Sequence, residues 1–438
     1  MKKVLTLGLA AALAMTSLAG CSNAPASSST ESTAQTAESS AEPVEIRFSW
    51  WGNEARHEAT LEAIKLYEEQ NPGVKIVPEY ATFDGYQDKL MAQVAGGNAP
   101  DIFTCTAEWY PALYSADALY DISDKVDWSN FDEATLKSCS YKDTIYGACV
   151  SLNGYGVYYN KTVADQYGIQ IPEGDYTWDD LVKLAEEVYQ KSGGQVYGMT
   201  DPRTVSCALH CYGYTVLQKP EPFMWDEEKL TITAEDMTSY LKYMESMPEG
   251  CLLPPDESFN FDSFTSSPVA QGRALFEFGS VGSFSQTQSQ TEDELNMVPL
   301  PVGPNGESAN ETRPGLILSV YKGSEVADEA AKFIDWFVNS PDAAKVLKMC
   351  RGVLPTSVQR DALLEDTSVL ERSDVVIMNT MDKIMAGELH TFLPGPLGAD
   401  YVKESVSKQI AQAHAFGELT AEEAGQKFME EAEKAMTY

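Results

Sequence analysis

From Glu45 to Trp51 apolar and polar side chains alternate strictly. Ile46, Phe48 and Trp50 point one way and Glu45, Arg47, Ser49 and Trp51 the other, the period of a strand. The stretch that follows, up to Gln70, changes period. Ala59, Ala63, Ile64 and Tyr67 fall on one helical face, and Asn71-Pro72-Gly73 stops it. A second strand is predicted over 74–80. Tyr86, Leu90, Met91 and Val94 mark a second helix, ended by Gly96-Gly97, and a third short strand is predicted over 101–106. This β-α-β-α-β order predicts a parallel sheet with helices on its faces.

The same grammar returns later. Thr177 with Asp180 reads as a capping box before Leu181, Leu184, Ala185 and Val188. Ser324 opens a helix with Ala327, Ala330, Ala331, Ile334 and Phe337 inward, and Thr420 with Glu423 opens a final one to about residue 436. There is no internal repeat.

Composition changes the picture at the N-terminus. Lys2-Lys3 precede an apolar run from Val4 to Ala19, too short for a spanning helix, which ends Leu18-Ala19-Gly20-Cys21. This resembles a bacterial lipobox, in which cleavage before Cys21 leaves a lipidated N-terminus. Residues 1–20 are therefore expected to be a signal peptide. Residues 21–43, rich in Ser, Thr, Ala and Glu, are expected to be lipidated Cys and flexible tether. That address is the extracellular face of the cytoplasmic membrane, with membrane contact through the lipid alone.

The remaining stretch is large for a single core, so two lobes are expected. A formal net charge of −35 argues against nucleic acid as a partner. Of eight cysteines, lipidation of Cys21 leaves an odd number, which argues against a full disulfide framework. Cys207, His210 and Cys211 have the spacing of one helical face, but lack a second cluster to complete a metal site; small buried side chains are the simpler expectation. No metal or cofactor is expected.

Several segments, in order, resemble the extracellular solute-binding proteins of carbohydrate ABC importers. They are 48–52 (FSWWG), 67–76 (YEEQNPGVKI), 95–103 (AGGNAPDIF), 158–161 (YYNK), 177–181 (TWDDL) and 271–276 (QGRALF) followed by Gly279-Ser280. Where that family often has Trp after this last pair, the chain has Val281. The resemblance implies an α/β fold of two periplasmic-binding-protein-like lobes. Each is a mostly parallel sheet flanked by helices, hinged about a central cleft that closes on ligand. Lobe one would hold 44–152 and 298–340, and lobe two 156–297 and 341–438. It further implies a monomeric carrier, not an enzyme, that hands a sugar or oligosaccharide to permease subunits. A non-sugar polar ligand such as a peptide or polyamine is the alternative, and a glycoside hydrolase a more distant one.

In open α/β sheets ligands sit beyond the carboxyl ends of the strands. That rule selects Trp51, Asn53 and Glu54 after the first strand, Asp84 after the second, and Glu108 and Trp109 after the third. Each loop combines an aromatic face with in-plane polar groups, as sugars require. The resemblance adds Asn153, Tyr155 and Ser280. Arg351 and Arg313 are further candidates because a guanidinium fork binds hydroxyls and carboxylates. Trp50, Tyr158, Tyr159 and Trp336 are expected to be packing residues, and Trp225 a residue of core or cleft lip.

Overall fold

The computed structural model describes residues 43–436 apart from 84, 227, 261–265, 393, 394 and 397. The expected signal peptide, Cys21 and nearly all of the tether lie outside the described residues.

Among the described residues twelve strands are formed: Val44–Trp51 (β1), Val74–Ala81 (β2), Ile102–Cys105 (β3), Ser140–Tyr141 (β4), Thr144–Ile145 (β5), Gly147–Asn153 (β6), Tyr155–Asn160 (β7), Tyr197–Met199 (β8), Ala274–Ser280 (β9), Leu295–Pro299 (β10), Glu311–Val320 (β11) and His390–Thr391 (β12). They build a six-stranded sheet in the order β12-β11-β3-β1-β2, with β6 also on β11, and a four-stranded sheet in the order β10-β7-β9-β8. β4 and β5 pair with each other. Two large apolar clusters form: the first surrounds the first sheet and also takes Tyr158, Ala274, Leu295 and Met297 of the second, whose alternate side chains, among them Val157, Phe276 and Phe278, pack in the second cluster.

The alternation in β1 buries Ile46, Phe48 and Trp50 on the inner face. Trp50 closes its only polar valence by donating Nε1–H to His57 Nδ1 at 3.1 Å. The helix Glu54–Gln70 turns Ala63, Ile64 and Tyr67 inward, and the helix Ala327–Asn339 covers the same sheet with Phe333 at 4.9 Å from the Tyr67 ring. Trp336, expected in the core, lies half-buried and donates to Gln70 Oε1 at 2.9 Å. The capping boxes at Thr177/Asp180 and Thr420/Glu423 both form.

The first sheet is parallel at β1–β2 and β1–β3, as the β-α-β-α-β pattern predicts. The second departs from the mostly parallel expectation: β10–β7 and β7–β9 are antiparallel and only β8–β9 is parallel. Parallel neighbours need a helical crossover. β8 reaches β9 through the helices Ser206–Thr215 and Ala234–Glu245, whereas β7 enters directly from β6 through Gly154.

The chain passes between the sheets from β6 to β7 and again from β10 to β11. Residues 341–364, expected with the second half, pack on the first instead. Only Ser340 separates the helix Pro341–Leu347 from the helix before it, and Ala343 and Leu347 continue the same buried face against the helix Glu54–Gln70. The helices from Ala399 to Ala435 pack in the second cluster.

Candidate functional site

Because β1 and β3 are parallel neighbours, with Phe48 opposite Ile102, both deliver their carboxyl ends to one edge. Trp51 ends β1, and the turn Ala107–Trp109 follows β3. Their indoles meet at 5.4 Å between ring centroids, tilted by 35°. Tyr86 packs on Trp51 at 5.0 Å and Phe83 at 5.5 Å. Both tryptophans are buried, at 7% and 8% exposure, while Phe83 is 57% exposed. The edge is therefore an aromatic cluster whose outermost ring is Phe83. Asn53 caps the helix Glu54–Gln70, its Oδ1 accepting from the Arg56 N–H at 3.0 Å. Glu54 is exposed in the first turn, where a carboxylate suits the helix dipole. Asp84 lies outside the described residues.

The crossing between the sheets carries the next group. Asn153 ends β6, and its Oδ1 accepts from Ser280 Oγ at 2.9 Å and from the N–H of Gly282 at 3.0 Å. Tyr155 pairs with Ser280 in register, so Asn153, Tyr155 and Ser280 form one constellation. Behind it the backbone is tight: a Cβ at Gly279 would sit 2.6 Å from the Tyr158 ring. The Tyr158 hydroxyl donates to the Ser280 carbonyl.

Arg313 joins this constellation to the aromatic edge. It stands opposite Asn153 in the β11–β6 ladder. Its Nη1 donates to the Tyr155 hydroxyl at 3.4 Å, its Nη2 lies 3.7 Å from Glu108 Oε1, and the guanidinium lies 4.8 Å from the Phe392 ring centroid. Burial pulls its basicity down, but the Tyr155, Glu311 and Glu108 oxygens outweigh that and hold it above the ordinary arginine value. Lys403 lies over the Tyr155 ring at 5.5 Å.

Tyr155 and Ser280 line a cavity of about 550 Å³, with Ser206, Phe259, Glu277 and Glu404 among its other walls. Glu404 is held by Lys408 at 2.7 Å. Glu277 is 6% exposed, and its Oε2 accepts from Ser267 Oγ at 2.8 Å and Thr200 Oγ1 at 3.4 Å. Burial pushes its carboxyl up to about 7, and the Ser267 and Thr200 hydroxyls keep it from rising further. A cavity of this size with aromatic walls, hydroxyls and carboxylates matches the dimensions and chemistry of a small polar-ligand site.

The sequence-selected residues thus fall into three sets. Trp51, Trp109 and Glu108 meet at the first sheet's edge; Asn153, Tyr155 and Ser280 meet at the crossing; Arg351 belongs to neither. Its Nη2 donates to Thr60 Oγ1 at 2.6 Å and the guanidinium lies over Phe337 at 5.1 Å, and burial lowers its basicity to about 10. Val281 is fully buried in the first cluster, and Trp225 is buried in the second. Cys207 and Cys211 are buried thiols on the helix Ser206–Thr215.

Pattern reading missed Glu277, Ser206, Phe259, Glu404 and Lys408, and kept Arg313 only as an outlying candidate. One signal was present. Glu277 interrupts the otherwise apolar 274–278, where an acid has no reason to stand unless the fold uses it.

With the geometry in place, the chain's similarities become informative. Residues 62–367 match the family model described as bacterial extracellular solute-binding protein. A multiple sugar-binding protein of Streptococcus mutans is 27% identical over 204 residues, which are 44% of this chain and 43% of that protein's length. The fold is similar to that of an extracellular solute-binding protein family 1 member from Alicyclobacillus acidocaldarius, with TM-score 0.80 and 23% identity over 91% of this chain and 100% of that one. It is likewise similar to a periplasmic oligogalacturonide binding protein from Yersinia enterocolitica, with TM-score 0.74 and 22% identity over 90% and 100% of the respective chains.

Proposed function

The chain belongs to the bacterial extracellular solute-binding proteins, and we propose that it captures a sugar or oligosaccharide between its two sheet-centred halves and delivers it to the permease of an ABC importer. In this reading the lipid on Cys21 holds it to the membrane, and closure of the halves commits the ligand.

One observation carries the proposal. Arg313 ties Glu108, beside the indole pair at the end of the first sheet, to Tyr155, which lines the cavity beside the second. Flat aromatic faces and in-plane polar groups are thereby gathered at the passage between the halves, the combination that sugar rings require. Relatives support the same substrate class: the Streptococcus mutans protein is a multiple sugar-binding protein and the Yersinia enterocolitica one an oligogalacturonide binding protein.

A thermal-shift screen against sugars, peptides and polyamines tests it. A ligand that binds only the folded chain raises its melting point by mass action. A shift with sugars alone supports the reading, and a shift confined to peptides or polyamines transfers the same carrier role to a non-sugar solute. The buried Val281 at the position where a stacking Trp was expected is the observation that keeps the second reading in play.

A further inference from the structure

We propose that the cavity beside β9 receives an amine-bearing unit of the sugar, with Glu277 as the group that takes the ammonium and sets the preference for it. The inference rests on the sugar-capture reading above and goes beyond it by naming the class of sugar.

The charge of the walls carries the argument. Among the described lining residues the carboxylates are Glu277 and Glu404, and the one ammonium, Lys408, is held by Glu404 at 2.7 Å. Glu277 lines the cavity with the Ser267 and Thr200 hydroxyls and the Val269 backbone as its partners, none of them a cation. Arg313 and Lys403 touch Tyr155 but do not line the cavity, and Glu108 and Glu311 stand among their near charges.

A buried carboxylate without a cation is costly, and a protein answers by raising its proton affinity or by binding a cation there. Glu277 does the first: burial pushes its carboxyl up to about 7. An arriving ammonium supplies the missing charge. The remaining walls fit the same guest: Tyr155, Tyr158, Phe259 and Phe278 offer aromatic surface, to which ammonium groups are drawn. Ser206 and Ser280, whose own protons go to Glu404 and Asn153, add hydroxyl oxygens that accept from neighbouring ring hydroxyls. A carboxylate-bearing sugar meets the opposite situation: it brings a second acid beside Glu277, with Lys408 already held by Glu404.

Calorimetric titration of the intact chain with four disaccharides tests this: a glucosamine dimer, its N-acetylated form, cellobiose and digalacturonate. The glucosamine dimer should bind about tenfold more tightly than cellobiose, the scale of one charge-assisted hydrogen bond. Digalacturonate should bind most weakly. Glu277→Gln, checked for folding by its melting curve, should bring the glucosamine and cellobiose affinities to within about twofold of each other. If that variant does not fold, Gln412→Lys, which adds an ammonium to the cavity wall, should erase the same preference. Equal affinities of the wild type for glucosamine dimer and cellobiose overturn the inference while leaving sugar capture intact, and so does a preference that survives Glu277→Gln. Binding of none of the four overturns the inference together with the reading beneath it.

Discussion

Arg313 donates from Nη1 to the Tyr155 hydroxyl across 3.4 Å, and the two residues belong to strands of different sheets. The contact is long, as is the 3.7 Å approach to Glu108, and the Arg313 side chain keeps 25% of its surface exposed. Loose, partly exposed ion pairs add little to stability, of order 0–1 kcal/mol. A guanidinium so weakly committed keeps donors to spare for ligand oxygens. Arg313→Ala should therefore weaken ligand binding by about tenfold while moving the melting point little. Titration and melting of the one variant check both halves of that statement. A large loss of stability with unchanged affinity would make Arg313 a brace.

The tryptophans should not separate as cleanly as alternation alone suggests. Trp50→Ala opens a cavity in a fully packed region and should cost about 3–5 kcal/mol of stability. Trp51 and Trp109, buried against each other, should also lose stability on truncation, together with affinity of order 2 kcal/mol. Phe83→Ala removes the exposed ring and should cost affinity with little stability. Melting curves and titrations of the four variants check this ordering.

Glu277 predicts a pH dependence with a definite sign. Its folded value, about 7, lies above the ordinary glutamate value of 4.5, so the folded chain holds the proton more tightly than the unfolded one. The associated stability is fully present below the unfolded value and is lost as pH rises through about 7. The slope approaches ~1.4 kcal/mol per pH unit within that window. Chemical denaturation from about pH 5 to 8 should show wild type losing stability relative to Glu277→Gln. Parallel profiles would mean that Glu277 titrates normally.

Much of the first half was legible because its signals are local. Strict alternation in β1, the Asn-Pro-Gly stop and the capping boxes each act within a few residues, and the observed elements follow them. The second sheet was misread because pairing direction depends on which strands the long connections bring together, and periodicity carries no record of that. The site divided in the same way. Trp51, Glu108 and Trp109 follow from a rule about strand ends. The Arg313–Tyr155 contact spans 158 residues and Glu404 enters the cavity from the last fifth of the chain, so neither leaves a local pattern. Arg351 shows the converse: its residue type suggested ligand chemistry, but burial against Thr60 and Phe337 uses it for packing.

Cys21→Ala should yield a chain that fractionates with the soluble phase and lacks the mass of an acyl chain. Membrane retention of that variant would place the anchor elsewhere.

Calorimetric titration of sugars into wild type, Arg313→Ala and Phe83→Ala measures sugar capture at this passage outright. Saturable binding of one sugar per chain is expected, with about a tenfold or greater loss of affinity in Arg313→Ala and both variants still folded. No binding of any sugar by wild type, or wild-type affinity in both folded variants, would contradict it.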